Sequence, residues 1–204
     1  MKKSLPLWAA LAALMAAGCE TTSEQGSGVE RGVAVTRFHL GQPIARAEIR
    51  IEPADPALAN SLEFSQYAAA IERELARLGW TVSTGNARSE QVALIQVEQG
   101  VREGGRRRSG FSIGVGAGTG GGGVGAGVGA TIPVGGARAG DIVVTELGVR
   151  IQRRSDATVA WEGRAQLEAR AGAPLASPGA AVDRLSTALF QDFPGESGRT
   201  IRVE

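Results

Sequence analysis

Between Gly110 and Gly136 the chain reads "GFSIGVGAGTGGGGVGAGVGATIPVGG" and carries no charged residue. Few folds accept such a segment. Phe111, Ile113, Val115, Ala117 and Thr119 take every second position, and Val124, Ala126, Val128, Ala130 and Ile132 do so again after a shift of phase across Gly120 to Gly123. A period of two is the period of a strand. A tight turn at Gly121-Gly122 sets Val115 opposite Val128 and Phe111 opposite Ile132, with the side chains on one face and bare glycine on the other. The expectation is a β-hairpin over 110–136, with Phe111, Ile113, Val115, Val128 and Ile132 as a partner-binding face. A flexible low-complexity loop is the competing reading.

Two motif matches inside the segment dissolve on inspection. Ser112 sits in G-x-S-x-G, but a nucleophile elbow needs a helix after the serine and a histidine later in the chain. The following residues are mostly glycine, and the single histidine, His39, lies upstream. A serine hydrolase at Ser112 is therefore the least favoured function. Gly116 to Gly121 matches G-x-G-x-x-G, but no helix follows to face a pyrophosphate. No catalytic residue, cofactor site or metal site is expected, since His39 has no ligand-type neighbours at metal spacing.

The N-terminus specifies an address. Lys2 and Lys3 precede an apolar run from Leu5 to Met15, then the small residues Ala16, Ala17 and Gly18. This is the pattern of a secretory signal, too short to span a bilayer comfortably. Cys19, the only cysteine, follows directly, so no internal disulfide can form. "LMAAGCE" resembles a bacterial lipobox, which implies cleavage before Cys19 and acylation of its sulfur. Each buried methylene then contributes ~0.8 kcal/mol, and two or more chains hold stably. Glu20, rather than aspartate, favours the outer membrane over the inner. The chain is expected to face the periplasm, anchored through its acyl chains.

Residues 1–18 thus read as a lipoprotein signal peptide, 19–31 as a flexible tether, and 32–204 as one domain. Beyond the signal every basic residue is arginine, and the overall balance of 22 basic to 21 acidic residues argues against a nucleic-acid partner.

Within the domain, Val33–Leu40 and Arg46–Glu52 read as strands. Asn60 with Glu63 suggests a helix cap, followed by Phe64, Tyr67, Ala68, Ile71, Leu75 and Leu78 at helical spacing and Gly79 as the stop. Trp80–Thr84 and Gln91–Val101 read as strands. Val143 to Ile151 and Val159 to Leu167 alternate as a hairpin with one dry face, turning through "RRSDA". Ser177 and Pro178 open a last helix with Val182, Leu185, Leu189 and Phe193 as its stripe. The expected fold is α+β: a mostly antiparallel sheet, two helices on one face, and the Gly-rich hairpin.

The order of these elements resembles the bacterial lipoprotein family catalogued as domain of unknown function 4136. The resemblance rests on the helix "FSQYAAAIERELARLGW", the strand "VALIQVEQG", the glycine tract, "GVRIQRRSDATVAWEGRA" and the closing "LFQDFPG". It implies an envelope lipoprotein with no established activity. The functional expectation is a non-enzymatic module that binds an unknown envelope protein or polymer. The alternative is an oligomeric assembly or pore that uses the glycine hairpin: each arm has about nine residues, the length of a transmembrane strand.

Overall fold

The structure, a computed structural model, describes residues 32–83, 88–103 and 140–204. Cys19, the tether and the whole 110–136 segment lie outside these residues.

Alternation governs the sheet. The strands are β1 (Val33–His39), β2 (Glu48–Pro53), β3 (Thr81–Val82), β4 (Gln91–Arg102), β5 (Ile142–Arg153), β6 (Val159–Arg170) and β7 (Thr200–Val203). They form one seven-stranded sheet in the order β3-β2-β4-β5-β6-β1-β7. β4, β5 and β6 are antiparallel neighbours, and β1 pairs antiparallel with both β6 and β7. β2 runs parallel to β3 and β4. The sheet is therefore mixed, though mostly antiparallel. The helix between β2 and β3 accounts for the parallel pair, because a strand–helix–strand crossover returns the chain in the same direction.

That helix is α1 (Leu62–Arg77). Its cap is Ser61, not Asn60: the Ser61 hydroxyl accepts the Phe64 N–H at 3.0 Å. The short 3-10 turn Pro56–Leu58 ends just before, so Asn60 falls outside the helix. Tyr67, Ala70, Ile71 and Leu75 are buried, and Gly79 ends the element at φ +96°. The second helix, α2 (Pro178–Phe190), starts at Ser177 and Pro178. The Ser177 hydroxyl makes no capping bond there; it donates to the Pro174 carbonyl of the preceding 3-10 turn.

Both helices cover the same sheet face. Ile49, Ala93, Ile95, Leu147, Val149, Ile151, Trp161 and Ala165 meet Ile71, Leu75, Leu185 and Leu189 in one core. Trp161 stacks on Phe190 with centroids 5.4 Å apart, and Phe193 bridges Trp161 and Trp80 at 5.2 Å from each. Phe193 is only partly buried, packed at the edge of this core. The Trp161 indole N–H donates to the Pro194 carbonyl at 3.0 Å, and the Phe193–Pro194 bond is cis. The "AWEGRA" and "DFP" segments are thus two sides of one packing joint.

Candidate functional site

Residues of the opposite parity form the face that carries neither helix. Successive rows across it follow from the register. Glu52, Leu94, Arg150, Glu162 and Phe38 make one row, and Gln96, Gly148, Arg164 and Thr36 the next. Glu98, Glu146, Gln166 and Ala34 make the third. A shallow depression of about 320 Å³ lies among these rows, with Gly148 in its lining.

Glycine at 148 is not demanded by the fold. A Cβ there would approach nothing closer than Gln96 Cβ at 3.8 Å, and its φ is not positive. At Gly163, one strand over, a Cβ would lie 2.4 Å from the Trp161 ring and 2.8 Å from Leu189 Cδ1, so a side chain there would overpack the core. Gly148 is bare without a packing reason, and its bareness lowers the floor of the depression. Glycine in a strand interior marks places where another chain or ligand approaches the backbone closely.

The rim is charged in both signs. Arg150 pairs with Glu162 at 3.3 Å, and Glu162 also takes Arg164 at 3.0 Å. Arg154 reaches Glu52 at 2.7 Å from the turn after β5. Arg150 and Arg164 keep about half of their side-chain surface exposed, so each retains donors for a ligand. At the other end Glu98 stands directly opposite Glu146. Burial pushes the Glu146 carboxyl above the usual glutamate range, the Glu98 charge adds to this, and Arg164 pulls it back. The Gln96 amide donates to Glu98 at 2.7 Å. The surface therefore offers two guanidinium groups beside two crowded carboxyls around a flat glycine floor. It suits an extended ligand bearing hydrogen-bonding groups and charge of both signs.

His39 is absorbed by structure. Its Nδ1 accepts the Gly41 N–H, so its Nε2–H donates to the Gly195 carbonyl at 3.0 Å. Arg37, 2% exposed, donates from Nε to the Leu189 carbonyl and from one Nη to the Ala188 carbonyl. A Cβ on Gly195 would lie 2.5 Å from Arg37 Cδ. Of the residues expected to bind a partner, Phe111, Ile113, Val115, Val128 and Ile132 all lie outside the described residues, as do Ser112 and Cys19. Sequence reasoning missed the open-face set. An available signal was glycine inside an otherwise regular strand, as at Gly148, although Gly163 shows the same signal for a packing reason.

The family model described as domain of unknown function DUF4136 matches residues 37–195, from Arg37 to the glycine that packs against it. The chain belongs to DUF4136. Within the DUF4136 span lie both helices, the packing joint and the open-face residues of β2, β4, β5 and β6; β7 and the first four residues of β1 fall outside it. The chain is 35% identical over 212 aligned positions to an uncharacterized protein of Zymomonas mobilis subsp. mobilis, covering 84% of this chain and 80% of that one. Among solved structures it is similar to the PelC dodecamer from Paraburkholderia phytofirmans, at 13% identity and a TM-score of 0.40, covering 76% and 97% of the two chains. It is also similar to a PDZ domain protein from Parabacteroides distasonis, at 14% identity and a TM-score of 0.43, over 84% of this DUF4136 chain and 39% of that protein.

Proposed function

We propose that this chain is a non-enzymatic, lipid-anchored envelope module, and that it binds a protein or envelope polymer on its open sheet face. The observation that carries the binding surface is Gly148: a glycine the fold does not require, in a broad depression rimmed by Arg150, Arg164, Glu98 and Glu146. A wide, shallow and doubly charged surface suits a macromolecular partner better than an enclosed small molecule. The anchor is Cys19, supported by its place after Ala16, Ala17 and Gly18. The chain faces the periplasm, and Glu20 favours the outer membrane. Among the described residues no helix is long and apolar enough to cross a membrane.

The reading of 110–136 as a β-hairpin belongs with this proposal. Arg102 pairs with Ile142, so β4 and β5 enter and leave that segment as antiparallel neighbours. A continued hairpin needs that starting geometry.

Photo-crosslinkers at Gln96 on the open face and at Glu72 on the outer face of α1 test the binding surface in intact cells. One discrete adduct from position 96, absent from position 72, is expected. Indistinguishable adducts from both positions would refute the binding face. A serine-reactive probe that labels the chain and fails on Ser112→Ala would refute the non-enzymatic part.

A further inference from the structure

We infer that one end of the sheet, the end presenting Leu58, Leu62 and Val101, rests on the bilayer that holds the N-terminal anchor; this builds on the anchored reading of Cys19. The argument is positional. Ala34, Gln166, Glu146 and Glu98 share one row across β1, β6, β5 and β4. Gly32 lies two residues beyond that row on β1, and Val101 three residues beyond it on β4, toward the same end. Three strand spacings separate these strands, so the tether's exit and Val101 lie about 15 Å apart. Gly32 is fixed there: its φ is +69° and a Cβ would lie 2.7 Å from the Val203 carbonyl oxygen.

Both long stretches outside the described fold, 1–31 and 104–139, leave from this end. A tether of a dozen residues reaches roughly 20 Å, which keeps this end near the lipid surface.

The end is also apolar where it has no need to be. Val97 packs against the cluster that Tyr67 of α1 forms with Ala70 and Val182, and the helix starts five residues before Tyr67, about 7 Å further toward this end. Leu62 in that first turn is 87% exposed, Leu58 just before it 47%, and Val101 39%. The last sheet row here is Arg102, Ile142 and Arg170. Arg102 is shared with Glu168 at 2.7 Å. Leucines at the acyl boundary with arginines at headgroup level match an interfacial contact. The opposite end exposes Leu40 at 81%, so it supplies an internal control.

The test uses the full-length lipidated protein on vesicles of phosphatidylethanolamine and phosphatidylglycerol. A fluorophore is placed on Leu62→Cys or on Leu40→Cys, Cys19 being blocked by its acyl group. We expect iodide quenching of the position 62 probe to fall severalfold on vesicles, with position 40 unchanged. Equal quenching of both while the protein floats with the vesicles overturns the orientation and leaves the anchor standing. Protection at position 40 alone overturns it too. Protection at position 62 in a Cys19→Ala background without vesicles assigns the patch to a second copy and overturns the lipid contact. Failure of the lipobox-intact chain to float removes the anchor, and this inference with it.

Discussion

Arg37 closes the C-terminal end of α2 through Leu189: its Nε donates to the Leu189 carbonyl at 2.9 Å while an Nη takes the Ala188 carbonyl at 3.0 Å. The last carbonyls of a helix have no intrahelical donor, and here they are buried. A cation at this position also opposes the negative end of the helix dipole. Burial lowers the guanidinium's proton affinity, and the Asp192 charge raises it again. Arg37→Ala leaves two carbonyls unpaired, and hydrogen bonds to a charged group contribute about 1.5–3 kcal/mol each. The expected loss of unfolding free energy is about 3 kcal/mol or more, read from urea denaturation. Arg37→Lys should recover only part, because an ammonium lacks the planar fork.

Gly195 is the partner of that arrangement. Its φ is +79°, and a Cβ would meet Arg37 Cδ at 2.5 Å. Gly41 has a similar φ of +72° with nothing within 4 Å. Both alanine substitutions incur backbone strain of about 1–2 kcal/mol, but only Gly195→Ala adds overpacking of about 1–3 kcal/mol. Thermal melts should therefore place Gly195→Ala clearly below Gly41→Ala. Equal melting temperatures would show that the arginine can move aside.

What a single sequence reveals is periodicity, and what it hides is register. The stripe of α1 and the alternation of β5 and β6 were legible because burial selects side chains at 3.6 and 2 residues. The cap moved from Asn60 to Ser61 because either side chain can accept the bond and the preceding turn decides between them. β7 escaped notice because four residues after Gly198 are too few to show a pattern. Arg37 lies in phase with Val33 and Val35, so its place on the dry face was visible, but not its helix-end partners. Gln96, Glu98, Glu146, Arg150 and Arg164 are polar positions spread over three strands of the sequence. Which of them are neighbours depends on pairings that no local pattern encodes.

Glu146 makes stability depend on pH in a defined direction. Its folded-state affinity for a proton exceeds the unfolded value, chiefly through burial and then through Glu98. The folded chain thus holds the proton to higher pH, and ionising the group above that point weakens the fold. Glu146→Gln should be more stable than the parent at neutral pH. The advantage should shrink as pH falls through the raised pKa and vanish below the ordinary glutamate value, where both states are protonated. Denaturation midpoints across this range decide it; a constant offset at every pH would remove the titration as the cause.

The open face can be filled without touching the core. Gly148→Leu places a side chain where the nearest described atoms are 3.8 Å away, and a leucine has higher strand propensity than glycine. Arg164→Glu reverses a charge whose side chain is 59% exposed, and exposed ion pairs contribute about 0–1 kcal/mol. Gly148→Leu should unfold within about 1 kcal/mol of the parent, and Arg164→Glu within about 2 kcal/mol, because it also sets a further carboxylate beside Glu162 and Glu146. Both should nonetheless lose the adduct formed from Gln96, Gly148→Leu by blocking close approach and Arg164→Glu by removing a donor. Gly163→Ala provides the contrast, since its Cβ would strike the Trp161 ring and lower stability by about 1–3 kcal/mol. If Gly148→Leu and Arg164→Glu both keep full crosslinking, the depression is not where the partner sits.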